Sequence, residues 1–228
     1  MKSGGRNSAP CAVVFDLDGT LVHSIPDLAA ALGEILAEEG LATVPEDAAA
    51  MMMGDGVAKL VERGFAHVGK ILSPAELAPL VERFVARYGE RPTLLTKPYP
   101  DVIDTLQQLC DAGHRLAVCS NKHLSLTKAI LRELSMDGFF GAVLGGDSVP
   151  KRKPAPEPLL TALAQLGAPS ENAVMVGDSH NDVAAARAAD MMSIVVSYGY
   201  CREGAANLSA DRVIDDFSDL PGAIRELS

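Results

Sequence analysis

Six short apolar runs have the length and content of buried strands: Cys11–Phe15, Arg115–Cys119, Ala142–Leu144, Ala173–Val176, Ser193–Val196 and Arg212–Ile214. Between most of them the apolar residues change to helical spacing. Leu124, Thr127, Leu131 and Leu134 make one stripe, and Leu159, Leu160, Leu163 and Leu166 make another. Gly113 and Gly167 stand where helix-ending glycines belong. Strands that alternate with helices imply right-handed crossovers and a parallel sheet covered on both faces, an α/β fold.

The interval from His23 to about Thr96 breaks the alternation. It offers helical signals and no convincing strand. Three stretches resemble capping boxes: Ser24-Ile-Pro-Asp27, Thr43-Val-Pro-Glu46 and Ser73-Pro-Ala-Glu76. The first precedes Leu28, Leu32, Ile35 and Leu36, and Gly40 stops that helix. The last precedes an apolar face of Leu77, Leu80, Val81, Phe84, Val85 and Tyr88. A helical block is therefore inserted after the first strand. Residues 1–22 and 97–228 are expected to form the α/β core, and residues 23–96 the insert. The proline-rich stretch Arg91–Pro100 reads as the return linker.

Composition narrows the partners. In 228 residues, 30 acids outweigh 20 bases, a formal charge of −10. A surface of that sign repels nucleic acid and anionic lipid. There is no apolar run of 18 residues to span a membrane, and the N-terminal apolar run ends at Asp16, too short for a secretory signal. Cys11, Cys110, Cys119 and Cys201 form no CxxC pair and read as free thiols in a reducing, cytoplasmic setting. Oligomeric state is left open.

Four motifs carry chemistry. Val13-Val-Phe-Asp16-Leu-Asp18-Gly19-Thr20 runs from an apolar strand into two carboxylates at i, i+2, which strand alternation aims the same way. Buried together they need a cation or a shared proton, and magnesium suits such oxygen donors. Met175-Val-Gly-Asp178-Ser-His-Asn-Asp182 is a second strand ending in acids. A helix beginning near Ser179 would put Asp182 in its first turn. Ser120-Asn121-Lys122 offers a hydroxyl and an amide at a strand end before a helix, and Lys151-Arg-Lys153-Pro-Ala-Pro holds a lysine beside rigid prolines. Each alone has an ordinary structural explanation. Together, at the carboxyl ends of parallel strands, they converge if the first strand lies between the Arg115–Cys119 and Ala173–Val176 strands. The result is a site for phosphoryl transfer: a carboxylate nucleophile, a metal and donors for phosphoryl oxygens.

The order DLDGT, SN, K-P-x-P, GDSxxD resembles the haloacid dehalogenase superfamily of aspartate-nucleophile phosphatases over nearly the whole chain. That resemblance implies a Rossmann-like parallel-sheet core with an inserted small α-helical cap. GTLVHSIPDLAAAL, the GGDS…KRKPAPEPLL stretch and the tail from Ser197 are similar to the phosphoglycolate phosphatase branch, although His23 stands where that branch usually has Asp. By resemblance, Asp16 is the nucleophile and Asp18 the general acid and base. Asp16, Asp178 and the backbone carbonyl of Asp18 hold Mg2+, with Asp182 behind them. Thr20, Ser120, Asn121 and Lys153 hold the phosphoryl group of a small phosphorylated metabolite.

The resemblance leaves relatives open as well: a sugar-phosphate phosphatase, a phosphomutase or a pyrophosphatase. A phospho-acceptor receiver module is about half this length and lacks an insert. A nucleotide-binding dehydrogenase fits poorly, because Gly54-Asp-Gly56 lacks the third glycine of GxGxxG. Substrate choice is expected from the cap, with the loop bearing Gly54 and Gly56 as the best candidate and Lys59 or Arg63 as a cationic anchor for a substrate carboxylate.

Overall fold

The computed structural model describes residues 12–201 and 204–227. Cys11 therefore lies outside the described residues. The chain runs β1 (Ala12–Phe15), β2 (Val22–His23), α1 (Ile25–Glu38), α2 (Glu46–Ala50), α3 (Val57–His67), α4 (Pro74–Glu90), β3 (Lys97–Pro98) and α5 (Val102–Asp111). It continues with β4 (Arg115–Cys119), α6 (Leu124–Glu133), β5 (Ala142–Leu144), α7 (Glu157–Leu166), β6 (Ala173–Gly177) and α8 (His180–Ala188). It ends with β7 (Met192–Val196), β8 (Arg212–Ile214) and α9 (Leu220–Leu227).

Six strands form one parallel sheet in the order β5-β4-β1-β6-β7-β8. β1 lies between β4 and β6, as the convergence of motifs requires. Its alternation serves two cores. Val13 and Phe15 join one apolar cluster, while Ala12 and Val14 join another on the opposite face. Both faces being covered explains why the strands read as unbroken apolar runs. Gly113 and Gly167 take positive φ just past α5 and α7 and end those helices.

The inserted cap is helical, α1 to α4, and its two connections meet as a small ladder. β2 pairs antiparallel with β3, Val22 opposite Pro98 and His23 opposite Lys97. The return linker thus contains a strand that its prolines had disguised. Leu28, Leu32, Ile35 and Leu36 of α1 are all buried, as are Leu80, Phe84 and Tyr88 of α4.

Several local expectations change. Ser24 is not a side-chain cap, because its hydroxyl is committed to Asp18. The Tyr200 hydroxyl instead accepts from the first amides, Ser24 N (2.9 Å) and Ile25 N (3.2 Å). Asp27 turns away to accept from the amides of Leu95 and Thr96 and the Thr96 hydroxyl, fastening the return segment to α1. Thr43 does not cap either, since α2 begins after Pro45. Only Ser73 and Glu76 make the reciprocal capping box expected of that region. On α6 the buried stripe is Leu126, Thr127, Ile130 and Leu131, with Leu124 and Leu134 half-buried at its edges. Leu160 of α7 points out to solvent. No helix among the described residues is long and apolar enough to cross a membrane.

Candidate active site

The parallel register fixes where the acids emerge. Phe15 is level with Val118 of β4 and Val176 of β6, so Asp16, Ser120 and Asp178 leave the sheet at the same edge. They line one cavity of about 200 Å3 together with Asp18, Asn121, Lys122, Asn181 and Tyr200. Its other wall comes from the cap: Leu28, Met53, Gly54, Gly56, Val57 and Leu60.

The turn after β1 has to be tight. Gly19 has φ +86°, and a side-chain carbon there would lie 2.2 Å from Asp178 Oδ2. Glycine therefore admits both the left-handed backbone and the close approach of the Asp178 carboxylate. The Tyr200 amide donates to that same Oδ2 at 2.6 Å.

One oxygen each of Asp16, Asp178 and Asp182 lies within 4.8 Å of the others, and all three residues are buried. Lys153 Nζ is 3.0 Å from Asp16 Oδ1 and 2.6 Å from Asp182 Oδ1. Burial pushes the Asp16 pKa up to about 6; Asp182 and Asp18 add to the rise and Lys153 opposes it. Burial, then Asp182 and Asp16, hold the Asp178 carboxyl well above its usual range.

The second oxygen of Asp182 is already used. It accepts from the Asp178 and Ser179 amides and from the Ser179 hydroxyl; the bond from the Ser179 amide is one half of the capping box that starts α8. Asp182 thus orients Lys153 and the Asp178 loop from behind. When all three are ionised, three carboxylates facing one ammonium carry a double negative excess, which adds to burial in raising the Asp16 and Asp178 pKa values. Asp16 Oδ1, despite the nearby Lys153, has no aligned hydrogen bond among the described residues. A hard divalent cation suits this oxygen-rich, under-neutralised cluster.

Asp18 stands apart from that cluster with its own partners. Its Oδ1 accepts from the Ser24 hydroxyl and from Lys122 Nζ at 2.9 Å. Burial works to lower the Lys122 pKa, but Asp18 and Tyr88 outweigh it and the pKa rises. In the sequence Lys122 follows Ser120-Asn121 with no role that spacing assigns to it. The available signal was its place directly after a hydroxyl and an amide at a strand's carboxyl end.

The other expected residues divide. Ser120 lines the cavity. Asn121 lines it too, but its Nδ2 holds the carbonyls of Gly54 (3.0 Å) and Lys153 (2.9 Å). Thr20 is fully buried and is not among the cavity-lining residues; its carbonyl accepts from the Tyr198 hydroxyl at 2.9 Å.

Gly54 and Gly56 line the cavity. Lys59 and Arg63 do not join them. Lys59 is about half exposed and pairs with Glu62 one turn on, and Arg63 pairs with Asp55 at 2.6 Å and donates to the Met52 carbonyl. Neither lines the cavity, and both are already paired with acids, Arg63 with the cavity-lining Asp55, so in this arrangement neither presents an unpaired cation to a substrate. His23 lies on β2, its Nδ1 3.0 Å from the Tyr200 hydroxyl and its Nε2 4.0 Å from Glu46. Of the described cysteines, Cys110, Cys119 and Cys201 are free thiols, and burial pushes Cys119 up to about 12.

Comparison with known proteins agrees with this architecture. A family model described as haloacid dehalogenase-like hydrolase matches residues 13–196. A protein of Caulobacter vibrioides named phosphoglycolate phosphatase is 42% identical over 211 residues, covering 92% of this chain and 89% of that one. A protein of the same name from Rhodospirillum rubrum is 43% identical over 219 residues, with the same coverage. Among solved structures, that of a predicted phosphoglycolate phosphatase from Haemophilus somnus superposes with a TM-score of 0.88 at 32% identity, covering 96% of this chain and 99% of that one. The motifs, the sheet order, the inserted cap and these matches agree, and the chain belongs to the haloacid dehalogenase-like hydrolase family.

Proposed function

We propose that this protein is a magnesium-dependent phosphatase that hydrolyses a small phosphate monoester, phosphoglycolate, through an aspartyl phosphate on Asp16. The observation that carries the reading is the Asp16 carboxylate, buried among under-neutralised acids at the base of the cavity that Asp18 also lines. An Asp16 oxygen attacks phosphorus, and the bond from phosphorus to the leaving oxygen breaks. Asp18 gives that oxygen its proton. Asp18 then takes a proton from water, which attacks the aspartyl phosphate and releases inorganic phosphate and the Asp16 carboxylate. Ser120 at the cavity wall and Lys153, buried against Asp16, would hold the phosphoryl oxygens. Asp16, Asp178 and the Asp18 carbonyl would hold the magnesium, which when bound offsets the charge of the acids and of the phosphoryl group.

The substrate assignment rests on the relatives' names and on size. A cavity of about 200 Å3 is smaller than the ~300–1,000 Å3 usual for drug-sized ligands and suits an ester of few atoms.

Asp16→Asn provides the test. The amide is nearly isosteric, so the fold should persist, while turnover of phosphoglycolate should fall by about a thousandfold or more. Rapid acid quench of the wild type, followed by hydroxylamine, should trap an acyl phosphate that the variant lacks. A folded variant that keeps more than a few per cent of the wild-type rate would remove Asp16 from the role.

A further inference from the structure

We propose that Lys122 and Tyr88 are positioning residues for Asp18: the Lys122 ammonium fixes one carboxylate oxygen, and Tyr88, supplied by the cap, fixes the ammonium. The inference rests on the reading above, in which Asp18 is the proton donor. Lys122 Nζ is 2.9 Å from Asp18 Oδ1, 3.2 Å from the Tyr88 hydroxyl oxygen and 4.7 Å from the centre of the Tyr88 ring. The Lys122 side chain is 3% exposed and that of Asp18 11%. A buried ammonium needs an anion, and Asp18 is the carboxylate paired with it among the described residues.

The arrangement discriminates between the two oxygens of Asp18. Oδ1 accepts from Lys122 and from the Ser24 hydroxyl. No donor among the described residues is bonded to Oδ2. Two donors occupy Oδ1, so Oδ2 is the oxygen left open to exchange a proton with the leaving group. Without Lys122 the carboxyl group can rotate and lose that distinction.

Tyr88 extends the arrangement across the molecule. It is fully buried on α4, stacked near Phe84, whereas Lys122 follows β4 of the sheet. Its hydroxyl accepts from the ammonium and its ring face adds a cation–π contact. The orientation of Asp18 therefore depends on the cap being seated on the core. Lys122 also lines the cavity, so a direct grip on a substrate carboxylate is the competing role.

Three esters separate the roles in the full-length, magnesium-loaded protein. Phosphoglycolate has an alkoxide leaving group and a carboxylate, ethyl phosphate has the alkoxide alone, and p-nitrophenyl phosphate has a leaving group that departs without a proton. kcat/KM is the right quantity, because it reports only the steps through release of that group. Lys122→Met should lower kcat/KM about 100-fold on both alkyl esters and less than about threefold on p-nitrophenyl phosphate. Tyr88→Phe, which removes one oxygen and keeps the ring, should show the same selectivity at about tenfold. Lys122→Gln, which restores a neutral donor, should recover part of the loss.

Equal losses on all three esters would make the pair merely structural and overturn the proposal. A loss confined to phosphoglycolate would make Lys122 a carboxylate anchor and overturn it as well. If Lys122→Met does not fold, Tyr88→Phe and Lys122→Gln decide on the same ratios. A wild-type protein inactive on every ester would refute the phosphatase reading itself, and this inference with it.

Discussion

Asp16 and Asp178 face each other across a space that their own charges make unfavourable, and that gives the protein a definite response to pH and metal. The Asp16 pKa is raised from 3.8 to about 6. A carboxyl raised on folding contributes stability that is fully present below its unfolded pKa and is lost as pH rises through the folded one. The metal-free protein should therefore lose stability between about pH 4 and 6, and Asp178, shifted in the same direction, should add to the loss. A divalent cation binds the ionised form, so its benefit should appear over that interval and above it. Magnesium at about 100 times its Kd should raise the melting temperature by roughly 5–10 °C at pH 7.5 and hardly at all at pH 5. An equal shift at both pH values would contradict the placement of the metal among these carboxylates. The acids behind this prediction were legible in the sequence because each ends an apolar strand. Lys122 was not, because its partner Asp18 lies 104 positions earlier and only the pairing of β1 with β4 brings them together. Lys59 and Arg63 stand in the sequence as cations beside a glycine loop, but Glu62 and Asp55 already pair with them, which the sequence does not show.

Among the elements, strands were easier to read than helix ends. A parallel strand buried on both faces declares itself by composition, and the six runs fall within a residue or so of the observed ones. A capping box is a four-residue pattern that any tertiary demand can override. Ser24 satisfies it on paper, yet Asp18 takes its hydroxyl and Tyr200, 176 positions away, covers the helix amides. Ser73 meets no such competitor at the exposed start of α4, and there the pattern holds: its side chain accepts from the Glu76 amide, and Glu76 returns to the Ser73 amide at 2.8 Å. Ser73→Ala should accordingly cost about 1 kcal/mol, a fall of about 2–4 °C in melting temperature, with kcat/KM unchanged because the cap's end lies far from the chemistry in sequence and contacts. A loss of activity at unchanged stability would show that the start of α4 bears on the site directly.

At the scale of the whole molecule, the cavity lies between cap and core, and besides the Lys122–Tyr88 contact a set of polar contacts to one cap loop holds the two together. The Gly54 carbonyl accepts from Asn121 (3.0 Å) and from Asn181 (3.1 Å). Asn181 also donates to the Asp55 carboxylate at 2.8 Å, and Arg152 reaches the Asp55 carbonyl at 3.2 Å. Gly54 and Gly56 have φ of +99° and +86°, so the loop can present these carbonyls to the core where most side chains would be strained. The glycines were readable in advance as a point of close approach. Their partners were not, because Asn121 and Asn181 stand in motifs whose neighbours suggested phosphate and metal instead. Asn181→Ala removes two hydrogen bonds of the clamp and touches none of the residues assigned to proton or phosphoryl transfer. Each such bond contributes about 0.5–1.5 kcal/mol, so the closed state should become about 5- to 150-fold less favoured relative to the open one. A substrate that binds the closed form must then supply that difference, which raises KM by up to the same factor and leaves kcat at saturation within about twofold. Phosphoglycolate and p-nitrophenyl phosphate should suffer alike, since closure precedes the chemistry of either ester. A fall in kcat with KM unchanged would instead place Asn181 in the chemical step.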